Sequence, residues 1–385
     1  VLRNRVPTGR RRMLSLVAAV VVITGAVTGT ARATPVGPVD LGTLPGDDES
    51  TVLAVNEAGE MIGLSLFGPT PKRSHPVRWS ADGQIMALPT PGGTEGQVRD
   101  INSHGVSAGY VLTATTAVPV RWDAAGQATA LQLPPGYHNA TAWAISDTGV
   151  VVGNWLTPDN HYHGFRWDPD GVATDLGTLP GETWSMAEGI SADGTIIVGS
   201  AVRSAANQAV RWVNGGPITE LAPLGASSGA SRMNEDGVAA GTMRQAGGTP
   251  IPAKWDRDGV VHPMEWPSPH SVWVYGISST GYVVGSGYLN PPRRSAVIWD
   301  PAGDVAVLAD DGLDADAEAV NAQGTAAGTF QSQATVWFQS GERRQLGKLP
   351  GGTRSQAYRI SDNGRVVGVA GTAAGKSHAV YWTLD

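Results

Sequence analysis

The chain has no cysteine, and that absence removes several classes of chemistry at once. It excludes disulfides, thiolate metal sites, a thiol nucleophile and a lipid-anchored cysteine. Lysine is nearly absent too, with Lys72, Lys254, Lys348 and Lys376 the only four against a much larger number of arginines. No basic stripe is found, which argues against nucleic acid or an anionic membrane surface as a partner. No stretch shows sustained helical periodicity. The one long apolar run, Met13–Val27, follows the basic residues Arg3, Arg5, Arg10, Arg11 and Arg12 and precedes Ala31-Arg32-Ala33. A basic start, an apolar middle and a small-x-small site read as a secretion signal peptide over 1–33. The run is too short for a good membrane span, so no stable anchor is expected after cleavage near Ala33. Residues 1–33 hold six arginines and no acid, so their loss takes the formal charge from −7 to −13.

What the sequence has in abundance is glycine and a repeated phrase. Ile145-Ser146-Asp147-Thr148-Gly149-Val150-Val151-Val152-Gly153, followed by Trp167, recurs eight times. The first glycine falls at 59, 105, 149, 194, 237, 281, 324 and 364, and the second at 63, 109, 153, 199, 241, 285, 328 and 368. The tryptophan falls at 79, 122, 167, 212, 255, 299, 337 and 382. Spacings of 40 to 46 residues between first glycines mark a repeat architecture.

Each unit reads as four short strands. The first ends before a Ser/Asn-x-x-Gly turn, whose chemistry suits a hairpin with a glycine bulge. The second carries Val-Val-Gly, the third ends in Arg-Trp, and the fourth is of the Asp175–Leu179 type. Four strands in about 44 residues fit a propeller blade. The mature chain opens on a spare fourth-type strand, Val39–Leu44, and stops at a third-type strand, Ala379–Trp382. Pairing the two closes the ring and removes an exposed edge. The expectation is an all-β, eight-bladed β-propeller of four-stranded blades over 34–385, its last blade completed by the N-terminal strand, with no interdomain linker.

His163-Gly164-Phe165-Arg166-Trp167 and His378-Ala379-Val380-Tyr381-Trp382, with Asp-Leu-Gly-Thr-Leu-Pro-Gly at 40–46 and 175–181, resemble the extracellular HAF repeats of bacteria. The resemblance covers residues 39–385. It implies a secreted repeat protein of unassigned biochemistry. The family's histidine persists only as His75, His163 and His378, so it implies no role common to all blades.

The eight repeat tryptophans read as packing between blades. Turn carboxylates such as Asp147, Asp193 and Asp362 suit Asp-x-x-Gly turns rather than a calcium loop, which would need alternating oxygen ligands and a bidentate acid. His161-Tyr162-His163 places two histidines on one strand face without a third ligand, so neither metal nor cofactor is expected.

Residues that break the repeat carry the functional expectations. Blade three gathers Tyr137, His138, Trp143, Trp155, His161 and Tyr162 beside Asp159 and Asn160, a composition suited to sugar rings. Near the axis, Asp100, Arg232 and Arg359 interrupt a row of small residues, joined by Arg99, Glu188 and Glu318. They line a polar pocket or pair as structural charges. The expected function is a secreted, non-enzymatic binding or scaffold propeller for a polysaccharide, a cell-envelope component or an extracellular protein, working as a monomer. The alternative is a secreted polysaccharide hydrolase or lyase using Asp100, Glu188 and Glu318. A hydrolase would require two carboxyls roughly 5–10 Å apart.

Overall fold

A computed structural model describes residues 37–384, apart from 205, 222–226, 245–247 and 310–311. Residues 1–33, expected from the sequence to be a signal peptide, lie outside the described residues. No helix is present among them, and none is therefore long and apolar enough to cross a membrane.

The chain forms eight four-stranded antiparallel sheets, seven of them simple meanders and the eighth a three-strand meander completed by the first strand of the chain. Blade three is representative, with strands His138–Ile145, Val151–Leu156, Tyr162–Trp167 and Ala173–Asp175. The first strand of every blade contacts the first strands of both neighbours, so eight inner strands encircle a common axis. In such a meander the first-to-second and third-to-fourth turns emerge together on one face, called here face A. The second-to-third hairpins and the blade-to-blade connections emerge on the other, face B.

Closure follows the expected plan. Val39–Asp40 pairs with the last strand, Ser377–Thr383, as the outer strand of blade eight. The fourth strands are shorter than the sequence implied. In blade three the strand ends at Asp175, and Leu176–Leu179 belongs to the connection. Asp175 accepts the Gly177 N–H at 2.7 Å, and Gly177 has φ +68°, which turns the chain out of the ladder. Asp40 and Gly42 repeat this at the seam, at 2.9 Å. Leu41, Leu176 and Leu179 then become buried wedges.

The two repeat glycines do different work. The first closes a type I turn with a glycine bulge, shown by Gly59 N–H donating to the Asn56 carbonyl at 2.9 Å and Asn56 N–H to the Glu60 carbonyl at 3.0 Å. Its φ lies between +73° and +89° in all eight blades. The second serves close approach. Every inner strand carries a β-bulge against its neighbour, at Ala142/Ala144 in blade three and at the matching step in the other seven. There a Cβ on Gly153 would sit 1.9 Å from the Thr141 carbonyl oxygen, and the corresponding distance is 1.8–2.0 Å in every blade.

Between blades, the repeat tryptophans are at most 2% exposed. In blades one to four, six and eight the indole N–H also donates to a carbonyl in the preceding blade's connection, at 2.7–3.1 Å. Buried serines at the start of the inner strands add further stitches, such as Ser185 Oγ accepting Gly164 N–H and Ser50 Oγ accepting Ala379 N–H. The cation before the tryptophan caps carbonyls of the next blade. Arg78 reaches Gly105 and Ala124, and Lys254 reaches Gly281 and Pro301. In blade eight Tyr381 holds that position, and Arg365 from the adjacent strand stacks on its ring and reaches Gly59 and Ala81 instead.

Gly149→Ala should cost about 1–2 kcal/mol, the left-handed strain alone, since its Cβ would meet nothing closer than 3.8 Å. Gly153→Ala should cost at least about 3 kcal/mol, because backbone must move. Urea unfolding of both variants measures the difference, and equal costs would refute the close-approach role.

Candidate functional site

The bulge places two successive residues of each inner strand at the axis region. This belt comprises Leu53/Ala54, Arg99/Asp100, Trp143/Ala144, Glu188/Gly189, Arg232 of blade five, Tyr275/Gly276, Glu318/Ala319 and Tyr358/Arg359 in chain order. The bulged residues lean over their own blade. Trp143 Nε1 donates to Asn154, Arg99 Nη2 to Tyr110 at 3.4 Å, and Ser200 Oγ to Glu188 at 2.7 Å.

Asp100 joins blades two and three. Its Oδ1 accepts Ile101 N–H at 2.9 Å and its Oδ2 accepts Ile145 N–H at 3.0 Å. Burial pushes its carboxyl up to about 6, against the pull of those two N–H groups and of Arg359. Burial also raises Glu188, opposed by Ser200 and Arg232. Glu318 is raised by burial and by Asp316, with Arg359, Arg232 and Arg294 opposing. The three acids stand on blades two, four and seven. Each is balanced mainly by hydrogen bonds or arginines, and none is raised by another of the three.

On face A the channel mouth is acidic. Glu57, Asp147, Glu235 and Asp362 follow the buried turn residues of blades one, three, five and eight. Three of these carboxylates staple neighbouring turns, accepting the N–H groups of Asp362, Ser103 and Ala322. Burial raises Glu235, and the other three acids and Asp236 add to it.

Blade three does not assemble the aromatic site expected from its composition. Trp155 is fully buried, packed with Tyr137, Phe165 and Trp167 in the blade core, and offers no face to a ligand. Tyr137 lies 4.5 Å from Trp155 as part of that cluster. Trp143 stands on the belt, but the Arg99 guanidinium covers its ring at 4.5 Å. His161 lies beside Asp159 at 3.6 Å, and Tyr162 is exposed on the neighbouring strand. His163 Nδ1 instead bonds Asp175 at 3.0 Å, and His378 bonds Asp40 at 3.0 Å, so two of the three motif histidines hold an outer strand to its blade. The third, His75, bonds Asp47 at 2.9 Å. Among the described residues no group of His, Asp and Glu could hold a metal ion.

The aromatic platform is on blade six. Trp273, on the inner strand Val272–Ile277, is the one exposed tryptophan, at 38%. Tyr288 holds it edge-on at 5.6 Å, and Tyr275 lies two residues further along the same strand. Trp273 occupies the position of Thr51, Gln97 and Thr141 in other blades, nearer face B than the bulge. Both Trp266 and Trp273 stand outside the repeat position, but composition could not tell an exposed indole from a buried one. A groove of about 310 Å³ lies between blades eight and one, lined by Glu49, Thr51, Arg354, Gln356 and Tyr358 among others.

Gly225-Ala226-Ser227-Ser228-Gly229 spells Gly-x-Ser-x-Gly, and its central serine, Ser227, opens a strand. Ser227–Met233 is an inner strand, and the buried Ser228 hydroxyl accepts Ala209 N–H at 2.9 Å.

No protein-family model and no curated protein matches the chain. Solved structures do. A prolyl endopeptidase aligns with TM-score 0.57 at 14% identity, over 87% of this chain and 54% of its own. A Porphyromonas gingivalis dipeptidyl peptidase 4 aligns at 0.54 and 10%, over 85% and 56%. The β-propeller domain of a Pyrococcus furiosus protease aligns at 0.51 and 9%, over 78% and 97%. The chain thus spans little more than half of either whole peptidase. At these identities the likeness shows the fold alone: the protein is a β-propeller.

Because the Asp100 carboxyl is held above its unfolded value, the folded state binds that proton more tightly, and ionisation opposes folding as pH rises through about 6. Moving from about pH 7.5 to about pH 5 should raise the unfolding midpoint of the native protein relative to Asp100→Asn. A midpoint difference independent of pH would contradict this.

Proposed function

We propose that this protein is an exported, non-enzymatic binding propeller whose ligand is a glycan engaged at the face B mouth of the channel. The observation that carries the reading is Trp273. It is a single exposed indole on an inner strand, fixed edge-on by Tyr288, in a chain whose other twelve tryptophans are buried or half-buried. A rigid, exposed aromatic face supplies stacking area at low conformational cost, and polar side chains of the belt supply hydrogen bonds beside it. The basic and apolar start of the sequence supports export. The acids Asp100, Glu188 and Glu318, set on separate blades, support binding over hydrolysis, which needs a facing carboxyl pair.

In a pull-down against insoluble cell-wall and extracellular polysaccharides, the protein should be retained without releasing reducing sugar. Trp273→Ala should lower retention about tenfold or more, whereas Trp155→Ala should act only through stability. Release of sugar, or retention indifferent to Trp273, would overturn the reading.

A further inference from the structure

Arg359 is an unusual arginine for its place. It follows the bulge of the last inner strand, inside the ring of eight, and its side chain is exposed to the lumen. Among the described residues its guanidinium forms one hydrogen bond, Nη1 to the Tyr358 carbonyl at 2.7 Å, and no ion pair. Most of a five-donor fork is therefore left unpaired. Arg232 occupies the equivalent position on blade five and donates Nε to the Tyr275 carbonyl at 2.6 Å. Although the side chain opens to the lumen, the ring around it partly desolvates the Arg359 guanidinium and lowers its pKa, Arg232 lowers it further, and Glu318 and Asp100 oppose. The positive charge there is only partly balanced. Three other residues of the same blade, Arg354, Gln356 and Tyr358, line the 310 Å³ groove at the seam, so the strand that carries Arg359 borders open, polar space.

We propose that the channel selects an acidic glycan, placing the carboxylate of a uronic-acid-type sugar on the Arg359 fork while another unit of the same ligand stacks on Trp273. This rests on the glycan reading above. A planar carboxylate matches a guanidinium fork through two parallel hydrogen bonds. The acidic mouth on face A, with Glu57, Asp147, Glu235 and Asp362, repels an anion. The ligand therefore enters from face B, the side on which Trp273 lies.

The test is titration calorimetry of the protein with an oligouronate and with the same oligosaccharide after carboxyl reduction, which keeps the hydroxyls and removes the charge. The native protein should bind the oligouronate about tenfold or more tightly than the reduced form, with affinity falling as salt rises. Arg359→Gln should bring the oligouronate down to the affinity of the reduced form and leave the reduced form unchanged. Arg359→Lys, which keeps the charge but not the fork, should fall between and serves if the glutamine variant does not fold. Equal binding of both forms, abolished by Trp273→Ala, would overturn the acidic selectivity and leave the glycan reading standing. Binding of neither form would overturn both.

Discussion

The approach of a bulged inner strand to a glycine, repeated around the ring, is the constraint on which the rest of the structure depends. At Gly153 and its seven equivalents the neighbouring carbonyl oxygen occupies the place a Cβ would take, at 1.8–2.0 Å. The bulge lets two consecutive residues of one strand reach the axis region, where an unbroken ladder would send alternate side chains to opposite faces. The belt of Asp100, Arg232, Trp143, Tyr275 and Arg359 exists because of it. Structural glycine and variability are thus linked: the residue opposite the glycine is alanine or valine in every blade, and the bulged residue and its successor are the ones that differ.

Closure depends on weaker parts acting together. Only two residues, Val39 and Asp40, form the ladder that completes blade eight. Around them the Trp79 indole donates to the Leu41 carbonyl, Ser50 accepts from Ala379, and His378 bonds Asp40. Asp48 sits between Lys376 and Lys72, one from each side of the seam, and those two ammonium groups draw its carboxyl down to about 2. Exposed pairs of this kind contribute little singly. The buried Leu41 and the indole stack supply the apolar share. The exchange of Arg365 for the missing blade-eight arginine shows the same logic, since a guanidinium reaches the next blade's carbonyls from a different strand.

Much of the fold was legible in the sequence because its signals repeat eight times and reinforce each other. The period, the turn glycines, the buried tryptophans and the spare N-terminal strand all correspond to observed elements. Fourth-strand length was not legible, because Asp-Leu-Gly reads as apolar extension until the Asp175 carboxylate is seen to turn Gly177. The axial position of Asp100, Arg232 and Arg359 was legible, since they interrupt a row of small residues at one repeat position. The aromatic site was not. Trp155 and Trp273 are equally irregular in the sequence, yet one fills a blade core against Phe165 and the other stands exposed beside Tyr288. Burial is decided by the side chains that close around each indole once the strands have paired, which no local pattern encodes.

The chain is acidic overall, and its face A mouth concentrates that charge, while the belt carries both arginines and acids. A glycan ligand held by stacking on face B is compatible with this distribution. The most direct measurement of the central claim is oxidative footprinting of the tryptophans, read by mass spectrometry with and without bound polysaccharide. The account predicts that Trp273 is the most readily oxidised tryptophan in the free protein and becomes protected on binding, while Trp143 and Trp155 are unchanged. Protection elsewhere with Trp273 still oxidised would contradict it.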